Sequence, residues 1–268
     1  MRPQLQVLDR SLMLRIVEDA RDVLRKCGFA LNHEEAVEQL ADCGARIEKQ
    51  RVFLTDDIID SALQIAPSSV ELFNHLGVRT HRMQGNRVHF TPGSAALNII
   101  DPGSTQLRPA TSSDYIRYAK LVDHLPAFAA QSTAIVPSDV PVEISDSFRL
   151  YLSLIYGKKP VVTGTFHPRS FSVMKDLQLI VRGDGDELIR KPLTIFTCCS
   201  ASPLKWDADS VQTLFDCSRS GIPVEIVPAP LLGFISPVTL VGALVQHTAE
   251  NLSGIVLSQI ARPGSPVV

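Results

Sequence analysis

The residues of this chain whose type and setting could do chemistry gather at the ends of short apolar runs. Ser138-Asp139 follows the run Phe128 to Val136, Thr165-Phe166-His167 closes the run from Pro160, Cys199-Ser200 follows Leu193 to Cys198, and the loop Pro228 to Ser236 follows Pro223 to Val227. Glu225 stands inside an apolar run. A buried carboxylate without a partner is costly, so Glu225 must meet either a lysine or arginine of the protein or a substrate. Asp139 reads equally as a turn residue and as a ligand-facing carboxylate. His167, before Pro168, either starts the next helix or faces a ligand. Ser236 and Pro237 have the types expected at a helix N-cap and first helical position, and Gly233 shapes the loop before them. The five cysteines, Cys27, Cys43, Cys198, Cys199 and Cys217, form no C-x-x-C, and the adjacent pair points to opposite faces of a strand. They read as packing thiols. His75, His81 and His89 have no carboxylate or cysteine at a supporting spacing, which argues against a metal.

The elements that must position these residues begin at Thr111. A helix opens at Thr111-Ser-Ser-Asp114, and then strands and helices alternate: Phe128 to Val136, helix Ile144 to Tyr156, strand Pro160 to Phe166, helix Ser170 to Val181, strand Leu193 to Cys198, helix Asp207 to Ser218, strand Pro223 to Val227, helix Ser236 to Ala261, and a strand starting at Pro266. The strands are near-continuous apolar runs, as parallel strands covered on both faces should be. This is an α/β pattern with a parallel sheet and right-handed crossovers. No G-x-G-x-x-G or G-x-x-x-x-G-K-[S/T] follows a strand, which favours a (β/α)8 TIM-type barrel over a nucleotide-binding sheet. Active sites of such barrels lie at the carboxyl ends of the strands, where the candidates above fall. Four complete strand-helix pairs and the start of a fifth strand are expected where a closed barrel has eight. Residues 111–268 are therefore expected to be the first half of a barrel, either the N-terminal part of a longer protein or a chain that needs a complementary partner. Its open strand edges predict self-association.

Residues 1–110 read as an extension of helices and a small antiparallel sheet. Leu14, Val17, Ala20, Arg21 and Leu24 suggest one helix face, stopped by Gly28. Asn32 with Glu35 suggests a second cap, and Thr55-Asp56-Asp57 a third. From Val70 to Arg108 the apolar residues alternate, as in Val70/Leu72, Val78/Thr80, Val88/Phe90 and Leu97/Ile99, between turn signals.

With 26 basic and 28 acidic residues the net charge is −2, which gives no electrostatic reason to expect nucleic acid or an anionic membrane. The start, Met1-Arg-Pro-Gln-Leu-Gln6, has no signal-peptide core, and no run reaches the length of a membrane span. A cytoplasmic protein is expected.

Two segments carry a family resemblance. Gly93-Ser-Ala-Ala, Asp101, Thr111 and Asp114-Tyr-Ile-Arg-Tyr form the first, and Gly233-x-x-Ser236-Pro237-Val-Thr239-Leu-x-Gly242-Ala with Ala249-Glu250-x-Leu-x-Gly254 and Pro263-Gly264-Ser-Pro-Val form the second and more specific one. They resemble the trimethylamine:corrinoid methyltransferase (MttB-like) family, over nearly the whole chain. The resemblance implies a TIM-type barrel with an N-terminal helical extension. It also implies methyl transfer from a tertiary or quaternary methylated amine, such as trimethylamine or a betaine, to the cobalt of a separate corrinoid protein. Under it, no cofactor is bound directly, the corrinoid (cobalamin) is carried by the partner, and a homo-oligomer is expected. Part of the family carries pyrrolysine, at a position beyond residue 268.

A cationic substrate needs aromatic faces or a carboxylate. Phe166 or Phe234 then supplies the face and Asp139 or Glu225 the charge, with His167 and Ser200 as further binding residues. Glu250, in mid-helix, reads as serving structure or an interface. Two other readings remain: a non-catalytic module that docks a corrinoid protein or a second subunit, and an unrelated barrel aldolase or lyase. Lys159 and Lys191 precede strands rather than follow them, the wrong end for a Schiff-base lysine.

Overall fold

The computed structural model describes residues 6–268. Residues 1–5, part of the stretch that bears on a signal peptide, lie outside them. Two compact units are present: Met1–Ala66, Cys199–Val211 and Ile226–Pro263 form the first, and Pro67–Cys198, Gln212–Glu225 and Gly264–Val268 the second.

In the first unit, three helices pack on one long one. Helix α1 (Arg10–Lys26) starts where the Asp9 carboxylate accepts the Leu12 N–H at 2.8 Å. Its buried residues are Ile16, Ala20 and Leu24, a stripe of spacing four, while Leu14 and Val17 lie on the exposed side. The expected apolar face is thus rotated. Helix α2 (Glu34–Asp42) is capped by His33, whose Nδ1 accepts the Ala36 N–H at 3.2 Å, and not by Asn32. Helix α3 (Asp56–Ile65) is capped by Thr55 as expected. All three contact α9 (Leu240–Ala261). Between them lies a sheet the helical reading missed: β1 (Phe29–Leu31), β2 (Arg46–Glu48), β3 (Arg51–Phe53) and β11 (Lys205–Trp206), in the order β11-β1-β3-β2. Strands of two or three residues are too short to show a period of two. Gly28, at φ +61°, turns the chain from α1 into β1, and a Cβ there would lie 2.3 Å from the Val52 carbonyl oxygen.

The second unit holds the parallel sheet. Strands β8 (Gln131–Ser132), β9 (Val161–Thr163), β10 (Thr194–Cys198) and β12 (Val224–Ile226) lie in the order β12-β10-β9-β8, with β8, β9 and β10 parallel. Val267 makes a parallel bridge to Val224, where the expected further strand begins. Helices α4 (Ser112–His124), α5 (Val142–Tyr156), α6 (Ser170–Arg182) and α8 (Ala208–Ser220) match the predicted ones to within a few residues, and a short α7 (Gly185–Arg190) was not foreseen. Phe171 meets Phe196 edge-on at 5.6 Å in the core, and Tyr115 packs with Ala119, Ile135 and Leu152. The region before α4 forms two separate hairpins, β4 (Val70–Phe73) with β5 (Arg79–Met83) and β6 (Asn98–Ile100) with β7 (Leu107–Pro109), rather than one sheet. Val88 to Phe90 is no strand, since Phe90 makes only an isolated parallel bridge to Phe128.

An α/β architecture with a parallel sheet is therefore present. Among the described residues no helix is long and apolar enough to cross a membrane, and no group of three or more His, Cys, Asp or Glu side chains has the arrangement of a metal site.

Candidate functional site

At the carboxyl end of β9, the loop carrying Phe166 and His167 is held from behind. Asp146 of α5 accepts the backbone N–H of Phe166 at 2.7 Å and of His167 at 3.3 Å through Oδ2. Its Oδ1 accepts from Arg149 at 2.7 Å, and both side chains of that pair are 3% exposed. Arg149 also donates to the Thr133 carbonyl at 3.0 Å and lays its guanidinium 4.7 Å from the centre of the Phe166 ring. One face of Phe166 is thus taken by a cation, yet the side chain remains exposed. His167 is exposed as well.

Glu225, half-buried on β12, accepts a short 2.5 Å hydrogen bond from the Thr197 hydroxyl on β10. Among the described residues no lysine or arginine pairs with it. Asp139 points to the start of α4, where its Oδ1 accepts the Ser112 N–H at 2.8 Å and the Ser112 hydroxyl at 3.0 Å. A carboxylate at a helix N-terminus satisfies a free N–H and the helix dipole, so Asp139 has a sufficient structural task.

Asp114 adds a buried carboxylate to the same helix start. It accepts the Thr111 N–H and hydroxyl, each at 2.9 Å, and pairs with Arg108 at 2.7 Å and with Arg117. The Arg108 hydrogen bonds hold its carboxyl far below the usual carboxylate range. His81, buried beside His89 at 4.8 Å between ring centres, is pushed down to about 4 by burial and by that second ring.

In the first unit, Ser200 is buried and donates to Glu250 at 2.9 Å. Glu250 also accepts from the Ser202 hydroxyl, the Leu204 N–H and the Gln246 amide. It fastens the loop after β10 to α9. Phe234 sits at the tip of the next loop and is 82% exposed, in a run where Leu231, Leu232 and Val238 are exposed too. Ser236 does not cap α9: its carbonyl closes a turn with the Gly233 N–H, and Thr239 caps instead, accepting the Gly242 N–H at 3.3 Å. Gly242 allows this, because a Cβ there would lie 2.8 Å from the Thr239 hydroxyl and 2.9 Å from Pro237.

Asp146 and Arg149 were not foreseen, since an Asp and an Arg three apart on a helix resemble a solvated ion pair. His75, His81 and His89 carry no metal-site geometry among the described residues.

The family model for trimethylamine methyltransferase (MTTB) matches residues 1–268. The chain belongs to that family. It is 28% identical over 249 residues to trimethylamine methyltransferase MttB of Desulfitobacterium hafniense strain DSM 10664 / DCB-2, covering 92% of this chain and 50% of that protein. It is 27% identical over 271 residues to glycine betaine methyltransferase of Desulfitobacterium hafniense strain Y51, covering 99% and 56%. It is 25% identical over 256 residues to proline betaine:corrinoid methyltransferase of Eubacterium limosum, covering 92% and 52%. The MTTB-family chain described here thus spans about half the length of the curated relatives it matches.

Proposed function

We propose that this MTTB-family chain takes part in methyl transfer from a tertiary or quaternary methylated amine, trimethylamine or a betaine, to the cobalt of a corrinoid carried by a separate protein. The family match over the whole chain supports the reaction class, and the names of three relatives support the substrate class. The observation that carries the reading is Glu225: a half-buried carboxyl group with a hydroxyl partner and, among the described residues, no lysine or arginine beside it. Leaving it unpaired is unfavourable for stability, which is what a site for a cationic substrate accepts.

In this reading the barrel extends to eight strand-helix units in the complete protein, which acts in the cytoplasm as a homo-oligomer. A corrinoid on its own carrier protein would supply the nucleophile for an in-line displacement, the C–N electron pair leaving with the amine nitrogen. The chain's own work is to place the methyl group and remove water from around the cation. Glu225 supplies the charge, and the open face of Phe166 an aromatic surface. His167 and Asp139, in the same unit, are further candidate binding residues.

Calorimetric titration of the chain with glycine betaine and with trimethylamine tests this. Binding by the native chain that weakens about tenfold in E225Q, the equivalent of ~1.4 kcal/mol for a partly screened charge pair, is the expected result. A chain that takes up neither amine, yet retains a corrinoid protein, sinks the reading in favour of a docking module.

A further inference from the structure

Two loops of the first unit share one fastening. Glu250 accepts from the Ser200 hydroxyl at 2.9 Å, the Ser202 hydroxyl at 2.6 Å and the Leu204 N–H at 2.9 Å, all in the loop after β10. Its Oε1 also accepts from the Gln246 Nε2 at 3.0 Å. The same nitrogen donates at 3.0 Å to the carbonyl of Ile235, which lies in the loop that carries Phe234. Glu250 is 1% exposed and Gln246 8%.

The chemistry of the two groups makes this more than packing. A carboxylate only accepts, so four donors converge on it from two directions. The primary amide of Gln246 has two hydrogens, and each is committed to a different partner. Spaced one helical turn apart on α9, the two side chains stand on the same face. The Phe234 loop has little burial of its own, with Leu231, Leu232, Phe234 and Val238 all more than half exposed, so few apolar contacts hold it in place.

We propose that Glu250 is a positioning residue that, through Gln246, holds the Ser200 loop and the Phe234 loop in a single arrangement. Displacing the Ser200 loop frees the carboxylate that orients Gln246, and the Phe234 loop then loses its tie. The consequence for amine binding rests on the function proposed above; the coupling between the loops does not.

Hydrogen exchange of the full chain, read by mass spectrometry, tests it. In E250A, amides of residues 199–206 and 231–236 are expected to exchange about tenfold faster or more, while those of α1 to α3 keep their rates. In Q246A only residues 231–236 should accelerate. An unchanged far-ultraviolet circular dichroism spectrum and a cooperative thermal transition verify that each variant is folded. Should E250A fail to fold, E250Q and Q246A carry the same comparison. Acceleration spread evenly over the unit, or a Q246A chain with an unaltered 231–236 segment, overturns the proposal. If the loops respond as expected and the native chain binds no glycine betaine, the coupling stands and the proposed function falls.

Discussion

In the second unit a buried carboxylate holds its loop with a cation at its side; in the first, a buried carboxylate holds its loop without one. Asp146 and Glu250 are 2% and 1% exposed, and a loop at the end of a strand gives two backbone N–H groups to the first and one to the second. Asp146 shares its charge with Arg149, itself 3% exposed. Glu250 is surrounded by two hydroxyls, one amide and one N–H, all neutral. The difference lies in what each loop offers. Residues 199–206 include hydroxyl-bearing Ser200 and Ser202, which can turn their protons toward the carboxylate, whereas the loop at Phe166 presents only two N–H groups to Asp146 and leaves one oxygen for a cation. A pair of buried charges is sensitive to the loss of either member, while an anion in a ring of neutral donors is sensitive to the ring.

Breaking the charged arrangement should have the largest effect. D146A and R149M each leave one buried charge without its partner, and each is expected to lower stability by about 3–5 kcal/mol in denaturant titration. E250Q keeps an acceptor oxygen and should cost about 1–2 kcal/mol. Equal losses in the two units would show that the two carboxylates depend on their partners alike.

Acid sharpens it further. The Asp114 carboxyl, held down by Arg108 in the second unit, is depressed in the folded state, so it contributes stability above the ordinary aspartate value of about 3.9. That contribution is lost as pH falls below this value, because the unfolded chain then binds a proton that the folded chain refuses. Thermal unfolding followed from pH 6 to pH 2 should show the loss, and R108M should flatten it.

The smallest effect is expected for an exposed carboxylate in the same kind of role. D139A removes a cap from α4 and should cost about 0.5–1 kcal/mol, visible as a slight shift of the unfolding midpoint. A loss of amine binding in D139A out of proportion to that shift would instead place Asp139 among the ligand contacts.

The loop carboxylates show where reading the sequence stopped. Glu250, in mid-helix, reads from the sequence as serving structure or an interface; its burial and hydrogen bonds give it a structural task, and the loop it holds is set by residues some fifty positions away, Ser200 and Ser202. Asp146 and Arg149, three residues apart on α5, carry no sequence signal that separates a buried pair from a solvated one. Cys199, exposed, and Cys198 and Cys217, buried, form no disulfide.

What the sequence determined by itself is local. Hydrophobic period and side-chain caps located α3, α4, α6 and α8, Thr55 and Thr111 marked helix starts, and the apolar runs at Val161, Thr194 and Val224 became parallel strands, because these features depend on residues within a few positions of one another. The quoted segments also pointed to the family that the whole-chain match bears out. Tertiary structure decided the rest. The parallel pairing of β1 with β11 joins residues about 175 positions apart in strands too short to have a period. The buried side of α1 follows from which stripe α9 covers, and whether a carboxylate is a cap, a fastening or a free anion depends on the donors that the folded chain brings within about 3 Å of it.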